Sequence, residues 1–290
     1  MKSGIYKKIS NEEYHRVSNS ENERSYSSSQ LKTMLQNPEA FIDQYIHKTV
    51  PGPTGEALDI GNYYHAHFLE PHALNEYAVF KGKQRRGIEW INFKAENEGK
   101  TILTLKGLAE ANICIKATQA SPYAMDTLKG AMYEVSLYDI LEGLPCKVRF
   151  DILFLSQKLS YIADLKSTRG DVKDPKKIKK TIRERDYDLS AAQYVDMMNN
   201  YLTRKNLLTK YAPITQFRWP FASKDQKICR EYVADKAMLE LGRYKYKRAI
   251  ALIKKHRANN WTIKEERTSI GPEGWELQAW KPEVKKEKKK

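Results

Sequence analysis

"KVRFDILFLSQKLSYIADLKST", residues 147–168, is the stretch on which the reading of this chain turns. It contains two alternating runs, KVRFDILFL (147–155) and LSYIADLKS (159–167), rich in β-branched and aromatic residues. The polar residues Ser156, Gln157 and Lys158 between them mark a hairpin. A loop over residues 156–159 places Asp151 opposite Asp164 and Arg149 opposite Lys166. Val148, Phe150, Ile152 and Phe154 then share the other face with Tyr161, Ala163 and Leu165. One face is expected to be core, and the other gathers two carboxylates and two cations. Opposed residues on antiparallel strands have Cβ atoms roughly 4.5–5.5 Å apart, where like charges destabilise the sheet.

Two readings account for that charged face. In the first it is a solvated outer surface crossed by salt bridges, and the charges need no further cause. In the second, Asp151 and Asp164 relieve their repulsion by sharing a divalent cation, Mg²⁺, which takes oxygen ligands and keeps several waters. Lys166, on the same side, then positions an attacking water or stabilises charge building on a phosphoryl group. A third strand is read in YEVSLYDI (133–140), where Tyr133, Val135 and Leu137 alternate away from Glu134. Glu134 is either an exposed strand residue or a third carboxylate at the cation.

Around these strands the pattern is helical. SYSSSQLKTMLQNPEAFIDQYIH (25–47) reads as two short helices, the first with a serine cap, broken at Asn37-Pro38. Further helices are expected over Glu56–Leu69, within residues 81–100 after a basic turn, over 104–120 and over 186–204, the second of these carrying Trp90 and Phe93. A lysine-rich segment containing Pro175 follows the hairpin, and a mixed region closes the chain. No internal repeat is visible. The organisation expected is one domain over residues 1–280, with helical residues 1–50, a core of about 51–205 and a mixed region 206–280.

The 290 residues carry 51 Lys and Arg against 36 Asp and Glu, a formal charge of +15, so the long-range field attracts polyanions, nucleic acid first among them. KPEVKKEKKK (281–290) contributes six lysines without a core pattern and is expected to be a disordered tail. There is no run of 18 or more apolar residues and no apolar leader, which fits a soluble, intracellular protein with no membrane partner. Cys114, Cys146 and Cys229 are far apart and odd in number, which excludes a disulfide framework or a four-cysteine metal site. They are read as buried free thiols.

Glu134, then Arg149-Phe150-Asp151, then Asp164-Leu165-Lys166 follow the order of the PD-(D/E)XK nuclease core, with Asp164 as the second acid. SSSQLKTMLQNPEAF, GNYYHAHFLEP and KGKQRRGIEWINFKAENEGKTILT extend the resemblance over about residues 14–202 to the RecE-type exonucleases, exodeoxyribonuclease VIII and its phage and prophage relatives. The resemblance implies an α/β fold with a central mixed β-sheet flanked by helices. It also implies that His65, Glu134, Asp151 and Asp164, with the Leu165 carbonyl, surround Mg²⁺, for which Mn²⁺ substitutes, and that Lys166 is the catalytic lysine. His65 shares a helical stripe with Leu58, Gly61, Asn62 and Leu69, whereas His67 points nearly opposite, at the wrong spacing to chelate the same ion.

The family helix after the D-x-K strand reads Tyr-x-x-Gln-x-x-x-Tyr. Here Tyr187 and Tyr194 are in place but Ser190 stands where glutamine is expected, and Gln193, about 60° away around the axis, is the candidate replacement. Gln193 and Tyr194 therefore join the candidate catalytic set. Lys81, Lys83, Arg85, Arg86 and Trp90 are either a solvated basic loop or a grip on DNA backbone and a terminal base.

The activity implied is a Mg²⁺-dependent exodeoxyribonuclease on linear double-stranded DNA ends, working 5′ to 3′ to leave 3′ single-stranded tails for recombination. A ring-shaped homo-oligomer, a single-strand annealing protein as partner and a cytoplasmic setting in a bacterial or phage-infected cell follow by analogy. The alternatives are a PD-(D/E)XK endonuclease of restriction or repair type, a non-catalytic DNA-binding relative and an RNA-directed nuclease.

Overall fold

The hairpin lies at the centre of a mixed sheet in the computed structural model, which describes residues 2–7, 9–16, 20, 23–82 and 84–263. In chain order, β1 (Gly4–Tyr6) and α1 (Asn11–His15) come first, two elements the sequence pattern does not announce. Next come α2 (Ser28–Gln36), α3 (Pro38–Phe41) and a π-helical turn over Ile42–His47. α4 (Glu56–Leu69) leads to a small parallel pair, β2 (Tyr77–Phe80) and β3 (Thr101–Thr104), with α5 (Gly87–Glu96) between them. α6 (Leu105–Gln119) and α7 (Pro122–Leu128) precede β4 (Met132–Leu141), β5 (Leu144–Phe154), β6 (Ser160–Ala163) and β7 (Lys166–Thr168). α8 (Pro175–Glu184), α9 (Tyr187–Arg204), β8 (Ile214–Ser223), β9 (Ile228–Val233) and α10 (Lys236–Ala258) follow. Residues 264–280 of the expected mixed region and the tail 281–290 lie outside the described residues.

Local chemistry sets the boundaries of the elements that frame the cleft. Ser27 and Gln30 form a capping box that starts α2, and Asn37 caps α3 with Pro38 at its first position. β4 and β5 are joined at Glu142-Gly143, both at positive φ (49° and 71°), as a tight antiparallel hairpin with matching twist requires.

The sheet runs β1–β4–β5–β6–β8, with β9 on the far side of β8. β5 and β6 pair in the expected register, Ile152 with Ala163, Leu153 with Ile162 and Phe154 with Tyr161. The pairing then stops. Lys166 opens β7, which pairs with β8 at Phe221 and not with Arg149, so the expected Arg149–Lys166 pair does not form. The cause lies in β8. Asp164 N–H donates to Arg218 O at 3.0 Å, and the return bond of a parallel ladder would come from residue 220, which is Pro220 and has no N–H. β6 and β7 are thus two halves of one interrupted strand, and Asp164-Leu165 sits in the gap.

Helices cover both faces. α2, α9 and α10 bury one side, where Val135, Leu137, Val148, Phe150, Leu153 and Ile162 meet Met34, Val195, Met198 and Ile250. α4, α6 and α7 bury the other, with Ile152, Tyr161, Ala163 and Leu165 against Tyr64, Ile115 and Leu128. The expectation of a single apolar face is corrected accordingly. Val148 and Phe150 join the first core while Ile152 joins the second, because the alternation changes phase at Glu134 and Asp151. These two residues stand opposite each other between the pairs Tyr133–Ile152 and Val135–Phe150. Glu134 has φ 49°, the left-handed region, inside a strand. The three cysteines are buried and free, as expected. No helix among the described residues is long and apolar enough to cross a membrane.

Candidate active site

Where the sheet changes phase, three elements deliver two acids and an imidazole to one point. β4 supplies Glu134, β5 supplies Asp151, and α4 brings His65 across them. One ligand atom from each lies within 4.8 Å of the others. The His65 stripe faces this cleft at Asn62 and His65, while Leu58 at one end is 45% exposed and Leu69 at the other joins the second core. His65 Nδ1 is 3.3 Å from Asp151 Oδ2, and the same oxygen accepts the Leu165 N–H at 3.1 Å. That bond turns the β6–β7 gap toward the acids. Asp164 lies beside them, with Lys166 Nζ at 2.5 Å from its Oδ1.

The electrostatics show an assembly short of positive charge. Burial, with Asp164 and Glu134 nearby, raises Asp151 well above the usual carboxylate range. Burial, with Glu70 beside it, pushes Glu134 up to about 7 despite Arg149. Burial would raise Asp164 too, but Lys166 and a hydrogen bond from Asp151 bring it below its ordinary value. Lys166 is held protonated: its desolvation is overcome by Asp164, Tyr187 and Asp151. Burial and the Lys166 charge lower His65 to about 4, so its contact with Asp151 is made by a neutral imidazole and is not an ion pair. A neutral imidazole and two carboxyl groups whose proton affinity is raised for want of a counter-charge form the N/O donor set that suits a divalent cation. The left-handed backbone at Glu134 adds strain of the kind that collects at functional sites.

The cleft, about 450 Å³, is lined by Glu134, Asp151, His65, Arg149, Tyr194 and Glu70, among others. Tyr194 packs edge-on to Phe150 and its hydroxyl meets Ser28 Oγ at 3.5 Å. Gln193 is not brought to the acids. It is fully buried, with Nε2 on the Met197 sulfur at 3.8 Å, Oε1 without a hydrogen-bond partner, and no place in the cleft lining. Arg149 is not a free cation at the centre. It donates to Ser136 Oγ, Asn11 Oδ1 and the carbonyls of Ile9 and Ser10, which pins the segment carrying α1 over the cleft. Lys147 does the same at Tyr14 O. Asn11, Tyr14 and His15 thereby line the site, a role no local pattern in the first sixteen residues signals.

The basic cluster before α5 stands apart from the acids. Arg85 donates to Ile102 O, approaches Glu56 at 3.6 Å and covers Trp90, which packs edge-on to Phe80. Lys81 and Arg86 are exposed, Lys83 lies outside the described residues, and none of the other four lines the cleft.

Against known proteins, residues 27–269 match the family described as "PDDEXK-like domain of unknown function (DUF3799)". The chain belongs to this family. The PDDEXK-like order of acids and lysine read in the sequence is thus carried by a sheet of the same class, α/β with a mixed sheet between helices. A crystal structure of a "Putative exonuclease" from Eubacterium rectale aligns over 90% of this chain and 96% of its own, with a TM-score of 0.58 and 16% identity, a likeness of fold. The structure of SSO0001 aligns over 64% of this chain and 85% of its own at 14% identity, with a TM-score of 0.25, too low to bear on the fold. No curated protein sequence matches the chain.

Proposed function

We propose that this PDDEXK-like chain is a Mg²⁺-dependent exodeoxyribonuclease of the RecE type that digests linear double-stranded DNA from its ends, 5′ to 3′. The observation that carries the nuclease reading is the convergence of His65, Glu134 and Asp151 beside the Asp164–Lys166 pair. The description of the Eubacterium rectale protein supports an exonuclease over other nucleases. His65, Glu134, Asp151 and Asp164, with the Leu165 carbonyl, would hold the ion. A bound divalent cation would supply charge to the attacking and leaving oxygens of the phosphodiester.

The protein's own groups divide the remaining work. Neutral His65 offers a lone pair without losing a proton, whereas Asp151 and Glu134 release protons as the site loads. Lys166, charged and seated on Tyr187 at 4.8 Å, faces the reacting phosphate and helps to orient the attacking water. Tyr194 walls the site from the α9 side. Lys176, Lys179 and Arg183 on the exposed face of α8 carry no ion pair among the described residues and offer backbone contacts. Ring assembly, a single-strand annealing partner, a role in phage recombination and a cytoplasmic setting belong to this proposal through the RecE-type resemblance.

End-labelled linear duplex and closed circular duplex, each incubated with Mg²⁺ or with EDTA, test it. Digestion of the linear form alone, only with metal, is expected. Circles cut as fast as linear DNA would turn the assignment to an endonuclease, and no digestion with metal would remove the nuclease reading.

A further inference from the structure

α2 carries to the Tyr187 ring, which Lys166 also approaches, a cation that the chemistry above does not use. Lys32 lies one turn along α2 from Ser28 and Ser29, which line the cleft. It is half-buried, and its ammonium stands 5.1 Å from the centroid of the Tyr187 ring, the same ring that Lys166 approaches at 4.8 Å. The carboxylates around it are already engaged. Asp164 holds Lys166 at 2.5 Å, Asp186 accepts from Lys245 at 2.7 Å and from Gln36 at 2.6 Å, and Asp188 accepts from Lys245 at 3.0 Å. Among the described residues no hydrogen bond or ion pair engages Lys32 Nζ.

A half-buried ammonium beside a second ammonium, with no anion of its own, is an unfavourable arrangement unless a ligand completes it. Burial and the charge of Lys166 accordingly bring Lys32 down to about 8. The aromatic ring that both cations approach softens their repulsion without neutralising either. What is missing is an anion presented from the cleft.

We infer that Lys32 binds a backbone phosphate of the strand being cut, next to the phosphate served by Lys166, with both ammonium groups seated at the Tyr187 ring. This rests on the nuclease reading but assigns a substrate contact that the metal chemistry does not require. Lys32 is here a binding residue, and Lys166 remains the catalytic one. A lysine kept for packing or for a salt bridge would stabilise the fold, whereas a phosphate-binding Lys32 opposes it until substrate arrives.

Lys32→Met, Lys32→Gln and Lys32→Arg distinguish these cases. In EDTA, where nothing is cleaved, a fluorescent blunt duplex read by anisotropy is expected to bind about tenfold more weakly to the Met and Gln variants and near normally to the Arg variant. The slope of log affinity against log salt should fall by about 0.9, the loss of one phosphate contact. Thermal unfolding of Lys32→Met in EDTA should occur at or above the wild-type temperature, and with Mg²⁺ the loss should fall on KM more than on kcat. Wild-type affinity and salt slope in Lys32→Met would overturn the inference, as would a lower unfolding temperature accompanying the lost affinity, which marks a structural lysine. Wild-type protein that binds no duplex overturns it too. If the wild type binds but never cleaves DNA while Lys32→Met loses binding, the nuclease reading falls and the phosphate contact stands.

Discussion

Replacing Glu134 by glutamine removes a charge that the metal-free fold holds at a cost. Glu134 is pushed from an ordinary 4.5 to about 7, chiefly by burial. An acid whose folded value lies above its unfolded value costs nothing below the unfolded pKa, where both states are protonated. Its destabilisation grows as pH rises between the two values and is complete above the folded one. The gap corresponds to about 3 kcal/mol above about pH 7 and about 1 kcal/mol near pH 5. For a chain of this size each kcal/mol moves the melting temperature by roughly 2–4 °C, so Glu134→Gln in EDTA should melt roughly 6–12 °C above wild type near pH 8 and only roughly 2–4 °C above it near pH 5. Arg149 loses only a 3.9 Å approach to Glu134 and keeps Ser136 Oγ at 3.1 Å and Ile9 O at 2.8 Å, so the latch over the cleft survives the change.

Metal should reverse the comparison. Mg²⁺ relieves the repulsion in wild type and raises its melting temperature most near pH 8, where no protons compete, while Glu134→Gln gains less. Thermal unfolding followed by circular dichroism, with Mg²⁺ or EDTA at the two pH values, gives all eight curves needed for the pair of proteins. A glutamine variant less stable than wild type at the higher pH in EDTA, or equal stabilisation of both proteins by Mg²⁺, would refute the idea that Glu134 awaits a cation.

Other expectations bear on the remaining groups. Asp164→Ala should lower hydrolysis by at least about a thousandfold while duplex binding in EDTA stays within about threefold, as measured by gel digestion and anisotropy; cleavage at the wild-type rate would contradict its place in the site. Lys166→Ala should lose cleavage similarly and retain metal binding, read as Mg²⁺-dependent stabilisation. Changing Lys176, Lys179 and Arg183 on α8 together to glutamine should reduce the salt slope of duplex binding by about 2 to 3, with activity recovering at low salt. A Cβ at Gly242 would stand 2.0 Å from the Asp188 carbonyl oxygen, so Gly242→Ala should force α10 from α9 and cost about 3 kcal/mol in urea unfolding.

What the sequence shows and what it hides divide along the range of the interactions. The β5–β6 register was legible because turn length and alternation are local, and Glu134 proves to stand opposite Asp151 because the Glu142-Gly143 turn sets that hairpin as well. The break between β6 and β7 was not legible from residues 147–168, since its cause is Pro220 on a strand more than fifty residues later. Alternation within KVRFDILFL reads as a single apolar face, yet one residue at positive φ in the neighbouring strand flips the phase and divides those side chains between two cores.

The site follows the same rule. His65, Asp151 and Glu134 belong to elements whose periodicity is visible one at a time, so their convergence is the natural outcome of the fold. Gln193, one turn on from the motif position that Ser190 occupies, sits 100° around α9 from Tyr194, and that rotation is enough to bury it away from the cleft. Lys32 belongs to an ordinary amphipathic helix and acquires meaning only beside Tyr187, which the fold brings up from the far side of the sequence. Charge that is isolated by tertiary structure, and not by its neighbours in the chain, is where function is least visible in sequence and most visible in coordinates.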